Sequence, residues 1–478
     1  MTDQAPIAPF AEHGGGASRG LAEVDMSGHD VGRFGRMFPD LAPQLVEPET
    51  LEDLARSMFP GASPAQTQAA LEPGENPDVA AGFTYLGQFI DHDITYDPFS
   101  SLERQNDPAA LWSFRTPRFD LDSLYGSGPV ASPYLYDQHD PVKLLIGHNV
   151  GADVEAEDLP RNHQGRAIVA DPRNDVHVIV SQLHLAFIRF HNAIVDHLRG
   201  QFFAAADLFT QAQRLTRWHY QWVVVEDYLR SHVGSDVVDD ILVVDPATGD
   251  RTVELQFYRW EHEPFIPVEF SAAAFRFGHS QVRARYQLNA AGELIHILVP
   301  SLTPNPLQHL GGFRPLPKGW TIEWDRFFTL GGPPPQLSRR IDTKLTGSFA
   351  RLPVAVDPGR RSLALLDLLR GRALGLPSGQ AVAAAMGASV PDSTLALHGD
   401  TPLRYYVLRE AEILEKGHRL GPAGGRIVAE VLLGMLAGDP GSFLHASPAW
   451  RPELPGEHPG HFTMADLLRV AYQVGRTS

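Results

Sequence analysis

The amino-acid sequence predicts a mainly α-helical protein with few short strands. Between the 39 prolines and 43 glycines that punctuate the chain, most segments repeat their apolar residues with a period near 3.6, which is typical of helices. Alternation with a period of two is confined to brief runs at 240–244 and 293–299. Because no serine-rich or highly charged linker interrupts the chain between about 30 and 450, we expect a single large helical domain over residues 31–478.

Each predicted helix is a stretch of helical periodicity between two such breaks. The clearest lies at 176–199, where apolar residues dominate and neither proline nor glycine occurs. The helix predicted at 208–231 carries Trp218, Tyr220 and Trp222, which we interpret as core residues rather than as an electron-transfer path. The remaining predicted helices are 81–93, 271–277, 362–371, 379–386, 405–414, 423–436 and 464–474.

The charge balance limits the partners that the protein is expected to bind. The 478 residues include 57 acidic and 40 basic side chains, which gives a formal net charge of −17. Proteins that bind nucleic acid carry an excess of Lys and Arg, and so do proteins that bind anionic lipid surfaces, so neither partner is expected. No uninterrupted apolar run approaches the length of about 18 residues that indicates a membrane-spanning helix, so no membrane span is expected.

The absence of cysteine narrows the chemistry further. Without Cys there are no disulfides, thiolate metal sites, iron–sulfur clusters or cysteine nucleophiles. Any chemistry must therefore use His, carboxylates, amides, Arg and a cofactor. Residues 1–30, which include the segment HGGGASRG, are expected to form a flexible leader. That leader lacks the apolar run of a signal peptide, so a cytoplasmic location or export by a non-classical route is expected.

The segment GQFIDHDIT at 87–95 holds the densest group of chemically versatile side chains. On a helix, Gln88, Asp91 and His92 are spaced i, i+3, i+4 and share a face, whereas Asp93 is rotated by about 100°. One face therefore offers an amide, a carboxylate and an imidazole. Taken alone, the tripeptide Asp91–His92–Asp93 is better explained by a buried histidine paired with a flanking carboxylate than by a catalytic site.

A second segment, TPRFDLDSLYG at 116–126, places oxygen atoms at every second residue. These are the side chains of Thr116, Asp120 and Asp122 and the backbone carbonyl of Arg118. Alternating oxygen ligands on a curved loop suit a hard cation with six to eight ligands, which indicates calcium. The alternative for an isolated Asp-x-Asp is a solvated turn with an Asx cap.

Two further segments complete the pattern, DPRNDVHVIVSQLHLAFIRFHN at 171–192 and AAFRFGHSQ at 273–281. In their order and spacing, the four segments resemble the animal-type haem peroxidases of the peroxidase–cyclooxygenase superfamily, from about residue 30 to about residue 450. The resemblance implies a helical domain around a buried haem b. The lack of cysteine and of a signal peptide points to a bacterial member, and cysteine-free composition suits a protein that handles peroxide.

The resemblance implies roles for three residues on the distal side of the haem. His92 would be the distal histidine, which accepts a proton from hydrogen peroxide and returns it to the leaving oxygen. Arg173 would be the distal arginine, whose positive charge stabilises the charge that develops as the O–O bond breaks. Gln88 would be the distal glutamine, which holds water or a small anion.

The resemblance also implies a proximal side. His279 would be the axial iron ligand, and its other nitrogen needs an acceptor that orients it. Many relatives use an Asn after a Gly-Leu-Pro turn, and here that position is occupied by Gln380. Arg276 matches the peroxidase branch, whereas the cyclooxygenase and fatty-acid dioxygenase branches have their radical-forming tyrosine there.

Haem attachment and calcium follow from the same resemblance. Asp91 would form one ester bond to the haem, whereas Val176 stands at the position of the second ester and cannot form it. His177 would line the haem edge. The calcium ligands would be Asp93 together with the loop groups Thr116, Arg118 (through its carbonyl), Asp120 and Asp122.

The function implied is a haem peroxidase that reduces hydrogen peroxide and oxidises a halide, thiocyanate or a small aromatic donor, as in a response to oxidative stress. One alternative is a haem fatty-acid dioxygenase, which would need another radical tyrosine such as Tyr258 or Tyr286. A second alternative is a calcium-stabilised interaction module with a vestigial haem site.

Overall fold

The computed structural model describes residues 32–59, 74–96, 112–113, 115–148, 157–201, 205–299, 305–352 and 361–473. Helices dominate these ranges, and the strands are short, which confirms the predicted fold class. The predicted leader, residues 1–30, lies outside the described residues, and the extent of the domain over 31–478 stays a prediction.

Seventeen α-helices are described. In chain order they are α1 Pro48–Ser57, α2 Ala81–Ile94, α3 Asp122–Tyr125, α4 Gly128–Ala131, α5 Val178–Arg199, α6 Ala205–Val223, α7 Arg230–Val233, α8 Ser235–Ile241, α9 Val268–Ser271, α10 Gly278–Gln281, α11 Leu363–Ala373, α12 Gly379–Ala385, α13 Asp392–Leu395, α14 Leu403–Leu414, α15 Pro422–Gly438, α16 Phe443–Ala446 and α17 Met464–Tyr472. A π-helical stretch, Val224–Leu229, joins α6 to α7.

The strands form one three-stranded sheet and four two-stranded pairs in the described ranges. They are β1 Gly32–Gly35, β2 Glu75–Ala80, β3 Trp112–Ser113, β4 Gly147–His148, β5 Glu157–Asp158, β6 Leu242–Val244, β7 Arg251–Val253, β8 Ile266–Pro267, β9 Arg285–Gln287, β10 Leu294–His296 and β11 Leu337–Arg339. In the larger sheet β1 pairs antiparallel with β3 and parallel with β8. The pairs β2–β11, β4–β5, β6–β7 and β9–β10 are antiparallel.

Helix α5 is the centre of the hydrophobic core and packs against α2, α6 and α17. By length and composition alone it could cross a membrane, but 83% of its 18-residue apolar window is buried inside the fold. That degree of burial is typical of the core helix of a globular protein, so α5 is weak evidence for a membrane span.

The helices predicted from periodicity occur close to their predicted positions, and the differences have local causes. The helix predicted from residue 176 begins at Val178, because the Nδ1 atom of His177 accepts a hydrogen bond from the backbone N–H of Val180 and so caps the helix. The preceding residues Pro172–Asp175 form a 3₁₀ turn. The prediction for 271–277 is divided between α9 and a second 3₁₀ turn, Ala274–Phe277.

Helix α1 was not expected from the sequence. Of its ten residues only Leu51 and Ala55 are buried, so the apolar pattern that would reveal it is short. Its proline at the first helical turn is a typical start signal, since that position needs no backbone N–H.

Candidate active site

The distal residues lie on α2, which is held close to its neighbours. A Cβ atom added at Gly87 would lie 2.5 Å from the hydroxyl oxygen of Tyr228, so only glycine fits between the two elements. As the sequence predicts, Gln88, Asp91 and His92 share one face, and Asp93 points elsewhere, towards the loop that precedes α3. Asp91 is half-buried, and its Oδ1 accepts a hydrogen bond from the hydroxyl of Thr95 at 3.2 Å.

His92 is buried and is held by a side chain that the sequence analysis did not single out. Its Nδ1 lies 2.9 Å from Oδ1 of Asn174, and Nδ2 of Asn174 lies 3.0 Å from Nδ1 of His184. Because an amide oxygen only accepts hydrogen bonds, Nδ1 of His92 carries the proton and Nε2 keeps its lone pair. Burial, together with the charge of Arg173, lowers the pKa of His92 to about 4. The imidazole is therefore a neutral base at neutral pH.

Arg173 is fixed against the same end of α2. Its Nη2 donates to the backbone carbonyl of His92 at 2.7 Å and to Oδ2 of Asp171 at 2.7 Å. The guanidinium also stacks over the ring of Tyr96, 4.4 Å from the ring centre. Burial alone would raise the pKa of Asp171, but Arg173 and Arg115 outweigh it and hold that pKa below the usual value. Arg173 is therefore a positioned cation beside His92.

His177 and Gln88, both predicted to lie at the haem site, form a direct hydrogen bond. Nε2 of His177 lies 2.7 Å from Oε1 of Gln88. Since Nδ1 of His177 accepts from the backbone of Val180, its Nε2 is the protonated nitrogen and donates to Gln88. Burial lowers the pKa of His177 to about 3, so it too is neutral. The bond turns the amide of Gln88 so that its NH₂ group remains a donor for another partner.

The proximal candidate, His279, lies on α10 and bonds to a residue other than the predicted one. Its Nδ1 lies 2.8 Å from Oδ2 of Asp367, on α11. Gln380 does not take part: its Nε2 donates to Asp392, the carbonyl of Gly399 and Thr401, and its Oε1 accepts from the backbone of Thr401. The expected pairing of Gln380 with His279 is thus replaced by Asp367, because the side chain of Gln380 is used to hold the loop after α12.

Two arginines surround Asp367. Nη2 of Arg404, on α14, lies 2.7 Å from Oδ2 of Asp367, and Nη1 of Arg276 lies 3.7 Å from Oδ1. Nη1 of Arg404 also donates to the backbone carbonyl of Arg276 at 2.7 Å. Burial alone would raise the pKa of Asp367, but Arg404 and His279 keep it below the usual value. A carboxylate therefore faces His279.

The predicted calcium ligands converge in the structure. One carboxylate oxygen each from Asp93, Asp120 and Asp122 lies within 4.8 Å of the others. Burial and the neighbouring carboxylates raise the pKa of Asp93 well above its usual value, and burial raises that of Asp122 to about 7. Oδ1 of Asp122 is buried and has no hydrogen-bond partner in the described ranges. An oxygen-rich cluster with an unsatisfied carboxylate fits a hard divalent cation.

The remaining ligand candidates stand around this cluster. The hydroxyl of Thr116 donates to Oδ2 of Asp120 at 2.9 Å, and the side chain of Arg118 is directed towards Asp439 at 4.0 Å. Ser123, which the sequence analysis did not single out, donates its hydroxyl to Oδ1 of Asp93 at 3.1 Å. These contacts tie the loop at 116–123 to α2 through Asp93.

The residues on both sides fit a haem. Each of the two histidines uses Nδ1 in a side-chain hydrogen bond, which leaves the lone pair on Nε2, the atom that ligates iron or accepts a proton. The side chains of Arg173 and His279 are 10% and 16% exposed, and both lie among buried neighbours. A buried histidine with its lone pair on Nε2 is the donor that a haem iron takes, and a buried arginine suits the negatively charged groups of such a cofactor.

Fold and site together are those of the helical haem proteins, and sequence comparison gives the family. The sequence model of the animal haem peroxidase family matches residues 100–405, which is more than half of the chain. The protein belongs to this family.

Individual relatives are distant. Thyroid peroxidase of Sus scrofa is 26% identical over 213 residues, which cover 41% of this chain and 20% of that protein. Among solved structures, peroxidase A from Dictyostelium discoideum has a TM-score of 0.57 at 13% identity and covers 92% of this chain and 91% of its own. A fatty acid α-dioxygenase from Arabidopsis thaliana has a TM-score of 0.55 at 14% identity and covers 85% of this chain and 74% of its own. The chain thus spans only about a fifth of the curated relative, and the structural matches show the fold alone.

Proposed function

We propose that the protein is a haem peroxidase that reduces hydrogen peroxide and oxidises a halide, thiocyanate or a small aromatic donor. The observation that carries the proposal is the distal arrangement. His92 is buried with its protonated nitrogen bound to Asn174, and Arg173 is hydrogen-bonded to the carbonyl of the same histidine. A neutral base beside a fixed cation is the pair of groups that heterolytic cleavage of a peroxide needs. The proposal includes a role in the response to oxidative stress, since the protein would remove hydrogen peroxide.

Three residues of the protein would each have a separate role in peroxide reduction. When bound, haem supplies the iron centre that takes up and passes on the oxidising equivalents. Nε2 of His92 accepts a proton from hydrogen peroxide and delivers it to the departing oxygen, and Arg173 stabilises the negative charge on that oxygen. Gln88, whose oxygen is bound by His177, presents its NH₂ group to a water molecule or a small anion.

Haem would be held mainly from the proximal side. His279 would hold the iron through Nε2, and Arg276, whose Nε donates to the carbonyl of Ser271, would be available to pair with a carboxylate group of the haem. Asp91 is the candidate for a single ester bond. Mass spectrometry of the denatured protein tests that bond: Asp91→Ala releases all haem, whereas Val176→Ala leaves attachment as in the wild type. Haem that dissociates fully from the denatured wild type contradicts the ester.

Calcium would be bound by Asp93, Thr116, Asp120, Asp122 and the carbonyl of Arg118. The supporting facts are the convergence of three carboxylates and the unpartnered oxygen of Asp122. Since Asp93 follows His92 directly, the ion would fix the end of the helix that presents the distal histidine.

The test of the peroxidase proposal compares the wild type with two histidine variants. Purified wild-type protein loaded with haem is expected to show a Soret band and to reduce hydrogen peroxide with bromide, iodide, thiocyanate or guaiacol as donor. His92→Ala is expected to keep the Soret band and to lose about 100-fold or more of the turnover. His219→Gln alters an equally buried histidine away from the site and serves as the control. A wild type without a Soret band or without peroxide turnover contradicts the proposal.

A fatty-acid dioxygenase is the second candidate, favoured by the structural likeness to the α-dioxygenase fold. Two facts weigh against it: Arg276 occupies the position of the usual radical tyrosine, and both alternative tyrosines are engaged. The hydroxyl of Tyr258 donates to the carbonyl of Phe265, and that of Tyr286 accepts from the backbone of Arg283. Oxygen uptake with linoleate, abolished by Tyr258→Phe or Tyr286→Phe, would establish this candidate instead. A protein that binds calcium but no haem would support the third, an interaction module.

A further inference from the structure

We propose that Asp367, held by Arg404, is the positioning residue that orients His279 and gives its imidazole anionic character. This inference rests on the proposed haem peroxidase function and deepens it, because it concerns the protein's control over its own axial ligand. The resemblance described above leads one to expect an amide at this point, that of Gln380. The structure assigns the task to a carboxylate on a different helix.

The first argument is the contact itself. Oδ2 of Asp367 lies 2.8 Å from Nδ1 of His279, and the Asp367 side chain is 3% exposed. A hydrogen bond of this length to a carboxylate is charge-assisted and stronger than one to an amide. It also decides the tautomer, since the carboxylate accepts the Nδ1 proton and Nε2 is left with the lone pair that ligates iron.

The second argument is that the carboxylate is supported from two other elements. Arg404, with a side chain only 2% exposed, approaches Oδ2 at 2.7 Å from α14. Arg404 also donates to the backbone carbonyl of Arg276, three residues before His279. The two arginines next to Asp367 are therefore linked to each other. A buried charge is retained only when such partners compensate it. The arrangement therefore keeps a negative charge at a fixed place behind the histidine.

The third argument is that Gln380, the residue expected from the resemblance, bonds to another part of the fold. Both ends of the Gln380 amide are bonded to the segment 392–401, where the amide nitrogen meets Asp392 and the oxygen meets the backbone of Thr401. Gln380 therefore stabilises the segment between α12 and α14.

The physical consequence concerns the electron density of the axial ligand. A carboxylate that accepts the Nδ1 proton makes the imidazole a stronger donor, and a stronger donor stabilises the ferric state over the ferrous state. An amide at the same place would do so less. Asp367 would thus lower the reduction potential and strengthen the bond between iron and His279.

The experiment compares the haem-loaded wild type with Asp367→Asn, Gln380→Leu and Asp466→Asn. Asp466 is the matched control, a carboxylate 3% exposed that pairs with Arg469 at 2.8 Å on α17. The readouts are the ferric–ferrous midpoint potential by spectroelectrochemistry, the iron–histidine stretching frequency of the ferrous protein by resonance Raman, and the affinity for hemin. Asp367→Asn is expected to shift the potential to more positive values and to lower the stretching frequency, whereas the other two variants match the wild type.

Each outcome decides the matter. Unchanged potential and frequency in Asp367→Asn, or a shift in Gln380→Leu, overturns the inference while peroxide turnover by the wild type still supports the proposed function. A wild type without a Soret band overturns both. If Asp367→Asn does not retain haem, Asp367→Glu is measured, which keeps the charge. Recovery of haem with a potential near that of the wild type supports the inference, and failure to recover it overturns the inference.

Discussion

Asn174 is the residue that most sharply determines the chemistry of the distal side. Its amide bridges two buried histidines, with the oxygen towards His92 and the nitrogen towards His184. This places the proton of His92 on Nδ1 and leaves Nε2 as the base. On the proximal side Asp367 does the same for His279, so a polar side chain sets the tautomer of each histidine.

Replacing Asn174 tests this bridge. In Asn174→Leu the buried Nδ1–H of His92 loses its acceptor, which costs about 1–3 kcal/mol of stability if no water replaces it. The imidazole also gains freedom to adopt the other tautomer, so the rate of peroxide reduction is expected to fall by about 10-fold or more. Steady-state kinetics and chemical denaturation measure the two effects.

Asn289→Ala is the control for that substitution, because the buried Asn289 amide donates to the backbone carbonyls of Gly319 and Thr321 and, among the described residues, to no histidine. It should lose stability without a comparable loss of rate. Equal losses of rate in the two variants would show that Asn174 acts through stability alone.

At the scale of elements, different faces of α2 carry the candidate distal residues and the candidate calcium ligand Asp93. One face presents Gln88 and His92, and Asp93 ties the C-terminal end to the loop that precedes α3. The lack of a side chain at Gly87 lets α2 pack closely against Tyr228.

The close packing of Gly87 against Tyr228 predicts the effect of a side chain at this position of α2. An exchange of glycine for alanine inside a helix normally stabilises it by about 0.5–1 kcal/mol. Here the new Cβ would lie 2.5 Å from the hydroxyl oxygen of Tyr228, and overpacking of that kind costs about 1–3 kcal/mol. We therefore expect Gly87→Ala to lower the stability and the turnover, as measured by thermal unfolding and peroxide kinetics.

Removing the obstructing hydroxyl should restore part of both quantities. The double variant Gly87→Ala/Tyr228→Phe is expected to be more stable than Gly87→Ala, with Tyr228→Phe alone as its reference. A double variant that shows only the sum of the two single losses would place the origin of the defect elsewhere than in this contact.

At the scale of the whole molecule, the carboxylate cluster joins segments far apart in the sequence. Asp93 and Asp122 are 29 positions apart, and one carboxylate oxygen of each lies within 4.8 Å of the other. Arg115 pairs with Asp122 at 3.3 Å, and a bound cation would offset the remaining negative charge. The net charge of −17 adds to the attraction for cations.

Calcium removal should therefore destabilise the protein. At pH 7.5, EDTA is expected to lower Tm by several degrees, and excess calcium should restore it, because binding to the folded state alone adds stability. Asp122→Asn removes one ligand charge and should weaken the response, whereas Asp466→Asn keeps it in full. The same Tm with EDTA and with calcium would exclude a structural calcium site.

Several buried histidines make the molecule sensitive to acid. Burial lowers the pKa of each of four of them to about 4: His184, His191, His219 and His232. In the unfolded chain these groups titrate near 6.5, so between about pH 6.5 and 4 the unfolded state binds more protons than the folded state. Stability therefore falls as the pH falls through that window.

Denaturation at a series of pH values measures this effect. Each fully titrating histidine contributes about 1.4 kcal/mol per pH unit to the slope of the unfolding free energy. Replacing His219 by Gln, which stays neutral, is expected to flatten the slope between pH 6 and 4.5. A slope that does not change would mean that His219 is protonated in the folded protein.

By itself, the sequence determined the helical class, the positions of the long helices and most of the candidate site. Helical periodicity is a local property, and the order and spacing of four segments gave the resemblance that implies the roles of Gln88, His92, Arg173, His279 and the loop 116–122. The tertiary structure alone decided which side chains meet. Asp367 lies 88 positions after His279, and its one signal is that it is the single acidic residue of an apolar helix, Leu363–Ala373.

The same reason explains why the predicted hydrogen bond between Gln380 and His279 does not form. Spacing from the Gly-Leu-Pro turn predicts a position along the chain, but the direction of the side chain depends on how α12 packs against the loop at 392–401. Hydrogen-bond partners that are far apart in sequence are chosen by packing, which the local pattern of residues does not contain. His279 was therefore recognisable as a candidate in the sequence, and the carboxylate that bonds to it became visible only in the folded chain.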